Sequence, residues 1–418
     1  MTMTAPLAAP EEQAPRLAGA PTTRGSHALA RLGLLRDFGH PRQVFGYVTP
    51  NWFAAVMGTG VLAVAGASLP EQFRGLRPAA TAAWAVAAIM LVGVTMLTAL
   101  HWRHHRSIAR GHASDPVTAH FYGALPMALL TVGAGALLVG RAVLGLRVAL
   151  DLDWTLWVAG TLAGLGTTVA VPYLMFTRHE VREDSAFGGW LMPVVPPMVS
   201  ASTGALLVPY VPAGQARLTL LLGCYAMFGL SLVASVIIIT LIWHRLVVHK
   251  TGPARMVPTL WIVLGPLGQS VTAANLLGGA AHLALPAPYS TVLLALGVAY
   301  GVPVLGFAAL WGCLALAITV RTAREHLLFS LSWWSFTFPV GTCVTGTTGL
   351  ALHTGSAALR VAAGLLFLAL VGAWVVVAAR TTLGSLRGGL FLPPELSGLQ
   401  GSTALPGRAG MKNVCSLS

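Results

Sequence analysis

An all-α polytopic membrane protein is the fold class this sequence predicts, and three observations carry it. Only 9% of the 418 residues are charged, where a soluble domain has about 25%. Hydrophobic residues make up 56% of the chain before its 47 glycines are added, well above the about 45–50% of a globular chain with glycine included. Charge-free windows recur along the length, most of them long enough for a spanning helix of about 20 residues. A soluble protein of this size could not cover its core with so few charges. The same arithmetic excludes a disordered chain, a disulfide scaffold, a coiled coil and a nucleic-acid-binding domain.

Taken in order, the windows predict ten transmembrane helices, near 50–68, 79–101, 121–144, 154–177, 190–208, 218–243, 258–279, 290–320, 332–353 and 359–382. The seventh and eighth come from one long window, 256–320, divided by the two prolines of LALPAPYS at 283–290. The eighth is longer than a crossing needs, and Pro303 predicts a kink in it. This transmembrane domain spans 45–383. The flanking tails, 1–44 and 384–418, are rich in Ala, Pro, Gly and Ser without periodicity and read as disordered and cytoplasmic. Within the first tail, ALARLGLLRDF at 28–38 fits either a short amphipathic helix on the membrane face or a plain connector. The N-terminus lacks the charged-then-apolar layout of a cleaved signal peptide.

The net charge of +13 has a membrane explanation, retention of Lys and Arg on the cytoplasmic side. With both termini cytoplasmic, that side receives 19 of the 25 positive residues, and only Arg74, Arg77, Arg141, Arg147, Arg217 and Arg360 fall outside. The plasma membrane is the expected location. The four cysteines, Cys224, Cys313, Cys343 and Cys415, are dispersed and form neither a metal motif nor a disulfide framework.

The ten helices fall into two classes. Even-numbered spans are rich in Leu, Ala and Val, as in LLLGCYAMFGLSLVASVIIITLIW, and suit an outer, lipid-facing ring. Odd-numbered spans combine proline with small and hydroxyl residues: TPNWFAAVMGTG, FYGALPMALLTVGAG, WLMPVVPPMVSASTG, WIVLGPLGQSVTAAN and SWWSFTFPVGTCVTGTTG. Small residues alone mean close helix packing. Five such helices in strict alternation predict five related hairpins with the odd members lining a central path, where a proline-freed carbonyl is tolerated.

PNWFAAVMGTG in the first helix, WLMPVVPPMVSASTGALL in the fifth and WWSFTFPVGT in the ninth resemble the tellurite-resistance/dicarboxylate transporter family. That family includes slow-type anion channels, malate permeases and sulfite efflux pumps. The resemblance covers about residues 45–383 and implies five hairpins around a pore with quasi-fivefold symmetry, three such subunits forming a homotrimer. It also implies that a phenylalanine midway along the ninth helix closes the pore. SFTFP offers Phe336 and Phe338, which point about 200° apart on a helix. Phe338, directly before Pro339, is the first choice and Phe336 the alternative.

The expected lining is Gly58, Thr59 and Gly60 of the first helix, Pro126 and Thr131 of the third, and Pro197, Ser200, Ser202 and Thr203 of the fifth. Pro266, Gln269, Ser270, Thr272 and Asn275 of the seventh and Pro339, Thr342 and Thr345 of the ninth complete it. No Asp, Glu, Lys or Arg is expected deep in any span, which argues against an acidic cation filter and against a side-chain proton relay. Neutral hydroxyl groups that donate hydrogen bonds suit weakly held anions, and Arg103, Arg106, Arg245 and Lys250 would concentrate them at the inner mouth. The expected function is transport of a small anion, without enzymatic activity, cofactor, metal or nucleic-acid partner. The alternative is a proton-coupled carrier of a C4-dicarboxylate or sulfite. A membrane-embedded metalloenzyme is more remote, because HWRHH at 101–105 is the one double-histidine box and reads as a polar helix end. His282 and His353 fall at outer helix ends.

Overall fold

The computed structural model describes residues 47–325, 327–387 and 389–391. Among these the chain is helical, without strands. In order the helices are α1 (Trp52–Ser68), α2 (Leu76–His104), α3 (Arg106–Ser114), α4 (Thr118–Leu144), α5 (Leu146–Thr177), α6 (Pro196–Leu207), α7 (Gln215–His249), α8 (Ala254–Leu283), α9 (Tyr289–Arg324), α10 (Phe338–Thr354) and α11 (Ala357–Arg387). Seven of them, α2, α4, α5, α7, α8, α9 and α11, are long and apolar enough to cross a membrane. The helices α1, α6 and α10 have 17, 12 and 17 residues, short of the about 20 that a full crossing takes. Length and composition therefore support seven crossings directly.

The two sequence classes correspond to two environments. The long helices α2, α5, α7, α9 and α11 expose large apolar side chains such as Ile89, Val169, Val233, Leu296 and Leu368, a belt suited to lipid rather than water. Most residues of α1, α6 and α10 are buried, as are most of α4 and α8.

The packing is cyclic. Each buried helix pairs with the long helix that follows it: α1 with α2, α4 with α5, α6 with α7, α8 with α9, α10 with α11. The buried members also touch one another in a closed circuit, α1 on α4, α4 on α6, α6 on α8, α8 on α10 and α10 on α1. Every long helix reaches on to the next buried one, ending with α11 on α1. Four of the five hairpin turns carry a glycine with positive φ, Gly75, Gly145, Gly214 and Gly355, a backbone conformation that glycine adopts without steric cost. The fifth turn, between α8 and α9, uses Pro286 and Pro288.

Several expectations need correction. The prolines of the buried helices stand near the starts of their α-helical stretches. Pro196 and Pro339 lie in the first α-helical turn, where the missing N–H is no loss. Pro126 and Pro266 are the third residues of their α-helical stretches, after 3₁₀ segments over Thr118–Gly123 and Ala254–Val263. Prolines inside a helical segment are Pro172 and Pro303, in the long helices α5 and α9, and Pro258, in the 3₁₀ part of α8. HWRHH does form the polar end of α2, which stops at His104 with Arg103 and His104 exposed, but one of its histidines is not at the surface. The chain turns at His105 into the amphipathic α3, and His101 is buried with its ring stacked 5.4 Å from that of His112. At the C-terminal side, α11 continues past 383 to Arg387, and the Phe391 ring stacks on Trp52 at 4.8 Å. The segment 28–38 and the remainder of both tails lie outside the described residues.

Candidate functional site

Two small cavities lie inside the circuit of buried helices, one after the other along its axis. The first, of about 20 Å³, is bordered by the early residues of all five: Ala54 and Met57, Phe121 and Met127, Met192 and Val195, Ile262, Gly265 and Pro266, and Leu331, Ser335, Phe338 and Pro339. The second, of about 40 Å³, lies two turns further toward the hairpin turns. Its walls are Val61 and Val64, Thr131 and Ala134, Val199, Ser202, Thr203 and Leu206, Gln269, Thr272 and Leu276, and Phe338 and Thr345. Phe338 borders both. Each cavity has room for only one to a few waters, at about 10–15 Å³ apiece, so the path is closed here.

The sequence-predicted lining divides. Thr131, Ser202, Thr203, Gln269, Thr272 and Thr345 border the second cavity, and Pro266 and Pro339 the first. The others border neither cavity. Gly58 lies under Thr337 and Trp334, and Gly60 lies where a methyl group would meet Thr131 Oγ1 at 2.8 Å. Thr59 points outward and accepts the Trp374 indole N–H at 3.0 Å. A methyl on Gly164 of α5 would meet Pro126 at 3.6 Å. Pro197 is buried, and the Ser200 carbonyl accepts from Trp157 at 2.9 Å. Ser270 donates to the Leu267 carbonyl, 2.8 Å. Asn275 Nδ2 donates to the Val271 carbonyl at 2.8 Å, while its Oδ1 accepts from His353 Nδ1 at 2.8 Å. The His353 ring is thus tied into the helix contacts rather than standing alone at a helix end. Thr342 donates to the Pro339 carbonyl at 2.7 Å, on the face where α10 meets α8. Phe336 packs edge-on against Trp261 and Trp333, at 5.5 and 5.7 Å between ring centres, and borders neither cavity.

The cavity hydroxyls lie within hydrogen-bond distance of carbonyls of their own helices. Thr131 donates to the Met127 carbonyl (2.9 Å), Ser202 and Thr203 to Val199 (2.9 and 2.8 Å), Thr272 to Gly268 (3.0 Å) and Thr345 to Thr342 (3.0 Å). Thr272 Oγ1 and Thr345 Oγ1 also share a hydrogen bond of 2.7 Å, and Ser202 Oγ accepts from Gln269 Nε2. Turning one hydroxyl to an anion gives up a bond worth about 1 kcal/mol net.

The charged residues also differ from expectation. Asp153 is an acid inside a span: it lies two turns into α5 and has no exposed surface. Its helix begins eight residues before the predicted 154, because the chain turns at Gly145 and the charges of RVALDLD belong to the helix. Arg245 is no free cation at a mouth. Its guanidinium is buried and donates to the Asp184 and Thr251 carbonyls at 3.2 and 3.3 Å, tying two loops together. Arg103 and Arg106 are exposed. In α3, burial holds His112 below its ordinary value of 6.5, with neighbouring His101 adding to the effect and Asp115 opposing it.

An apolar belt around a buried helical circuit that encloses a closed axial path defines a polytopic membrane protein of the transporter or channel class. A family model described as SLAC1, voltage-dependent anion channel, matches residues 47–382. The chain belongs to this anion-transport family, the tellurite-resistance/dicarboxylate transporter group that its motifs resemble. The sulfite efflux pump SSU1 of Arthroderma otae is 26% identical over 348 residues, 82% of this chain and 92% of that protein. An uncharacterized transporter of Methanocaldococcus jannaschii is 25% identical over 302 residues, 71% of this chain and 82% of its own. SSU1 of Candida albicans is 23% identical over 326 residues, 73% of this chain and 66% of its length. These names describe transporters and channels rather than enzymes.

Proposed function

We propose that the axial path carries small anions of the sulfite, C4-dicarboxylate, nitrate or halide class, and that Phe338 closes it. One observation carries the reading: Phe338 borders both cavities, so its ring lies between the apolar one and the hydroxyl-bearing one. An aromatic ring in a narrow neutral pore fills the space and offers an ion nothing in place of its hydration shell. Beyond it, Thr131, Ser202, Gln269 and Thr272 form a weak polar surface whose hydroxyls must rotate to bind an anion. Such a surface holds an anion loosely enough to release it.

In this reading all ten predicted helices act as spans, 3₁₀ segments extending α6 and α10, and five hairpins form a ring with quasi-fivefold symmetry. The cyclic contacts support it. The excess of Lys and Arg on the side away from the hairpin turns supports cytoplasmic termini in the plasma membrane. A trimer of such subunits rests on the family resemblance. A second reading, a proton-coupled carrier of sulfite or a C4-dicarboxylate, is favoured by the name of the fungal relatives, sulfite efflux pumps. Flux of chloride, nitrate, sulfite, malate and tellurite into proteoliposomes, measured side by side, tests both. Passive flux of several anions along their gradients is expected. Uptake of one anion only when a proton gradient is imposed would favour the carrier, and no flux of any anion would refute both.

A further inference from the structure

Asp153 plays no part in the path just described, yet its surroundings are unusual. Neither carboxylate oxygen has a hydrogen-bond partner, and the side chain is wholly buried. Across the α4–α5 contact it faces Gly133, where a methyl group would come within 2.7 Å of Asp153 Oδ1 and 3.2 Å of Leu156 Cβ. The other charged residues of the two helices at this end, Arg141 on α4 and Arg147 and Asp151 on α5, are exposed. The ion pairs among the described residues, Arg182–Asp184 and Arg360–Glu71, lie elsewhere. A carboxylate anion here would have neither water nor donor nor counter-charge. The neutral acid is the form that such an interface accepts.

The stretch of α4 beside it is also irregular. Three residues past Gly133 the helix opens into a π-turn, Ala136–Gly140, a feature that recurs at functional sites. Trp84 of α2 fills the other side, its ring standing where methyl groups on Gly135 and Gly140 would go, and its indole N–H donating to the Val132 carbonyl at 2.9 Å. Thr131 and Ala134 of the same stretch border the second cavity. One glycine-rich turn of α4 therefore separates Asp153 from the path.

We propose that Asp153 is a proton-binding site beside the anion path, occupied in this closed arrangement, and that loss of its proton releases the 131–140 stretch of α4 from α5. The deprotonation passes H⁺ to water and leaves a carboxylate that must leave the apolar contact to reach solvent. Its departure moves Thr131 and Ala134 in the cavity wall, so anion passage is low while the proton is bound and rises once it is lost. This link to flux rests on the anion-path reading; the proton site itself does not.

The test has two independent readouts on the full-length protein in lipid. Infrared spectra with aspartate ¹³C-labelled at the side-chain carboxyl should contain a protonated-carboxyl band at neutral pH, where exposed aspartates are ionised, and the band should disappear as pH is raised. Asp153→Asn should abolish the band. Because the amide is neutral at every pH, chloride flux through that variant should stay low and flat, whereas wild-type flux rises by up to about tenfold per pH unit on its acid limb. No labelled protonated band in the wild type overturns the proposal, and this result needs no variant to fold. An Asn variant that keeps the wild-type pH profile overturns the coupling to flux. A band that behaves as expected, in protein that passes no anion at any pH, supports the proton site and refutes the anion path.

Discussion

Phe336 and Phe338 stand two positions apart and meet opposite surroundings, one among tryptophans and the other between the two axial cavities. Helical geometry anticipates such a contrast through its turn of about 200° per two residues, but here the chain passes from the 3₁₀ segment ending at Phe336 into α10 at Phe338. The polar lining was legible only in part, for the same geometric reason. Gln269 and Ser270 are adjacent and both polar, yet Gln269 borders the cavity while Ser270 turns to its own helix backbone. Composition identifies which helices are polar; only packing decides how each is rotated. Glycine supplies a sharper single-residue test. A methyl on Gly268 would meet the Cys343 amide nitrogen at 2.5 Å and the Thr342 carbonyl carbon at 2.6 Å, both backbone atoms that cannot step aside. Gly268→Ala should therefore separate α8 from α10 and destabilise the protein by about 1–3 kcal/mol. Gly166→Ala, which meets nothing within 4 Å, should leave thermal stability in detergent unchanged. Equal melting temperatures for the two variants would contradict the close α8–α10 contact.

At the scale of elements, α3 was not foreseen, because a window search sees only apolar runs and α3 is amphipathic with a buried histidine. Its docking should depend on pH. His112 in the docked helix titrates below the 6.5 of a free histidine. Above that value both docked and undocked forms are neutral and docking carries no penalty. As pH falls below it, the undocked form takes up a proton that the docked form resists, so docking weakens. Protection factors of residues 106–114, which correct for the intrinsic slowing of exchange in acid, should fall on acidification below about pH 6.5 in the wild type, and less in His112→Phe; unchanged protection would argue against the buried, neutral imidazole. The positive residues of this side also separate by role. Arg103 and Arg106 are exposed and act only through their field, which is screened within about 8–10 Å at ordinary salt. Replacing both with Gln should reduce anion flux at low ionic strength and have little effect at high. Arg245→Gln should instead lower stability at either salt, since it loses its bonds to the Asp184 and Thr251 carbonyls. A salt-dependent loss for Arg245 and a salt-independent one for the other pair would reverse these assignments.

For the whole molecule, the alternation of two helix classes foreshadowed the cyclic packing, because a ring of helices shielded by a second ring needs small, weakly polar surfaces inside and apolar ones outside. What the alternation did not convey is that four of the inner helices, α4, α6, α8 and α10, are led in by 3₁₀ segments, with proline in or near the first α-helical turn. Nor did it reveal the acid two turns into α5, which charge-free windows exclude by construction. The ring becomes a conduit only if its closure is a removable side chain, and conductance of Phe338→Ala beside Phe336→Ala, at matched protein levels in planar bilayers, tests this most directly. The account predicts higher anion conductance for Phe338→Ala and wild-type conductance for Phe336→Ala. If Phe338 were an ordinary core residue, its loss would instead remove about 3–5 kcal/mol of stability, and lower yield with no gain in conductance from either variant would contradict the account.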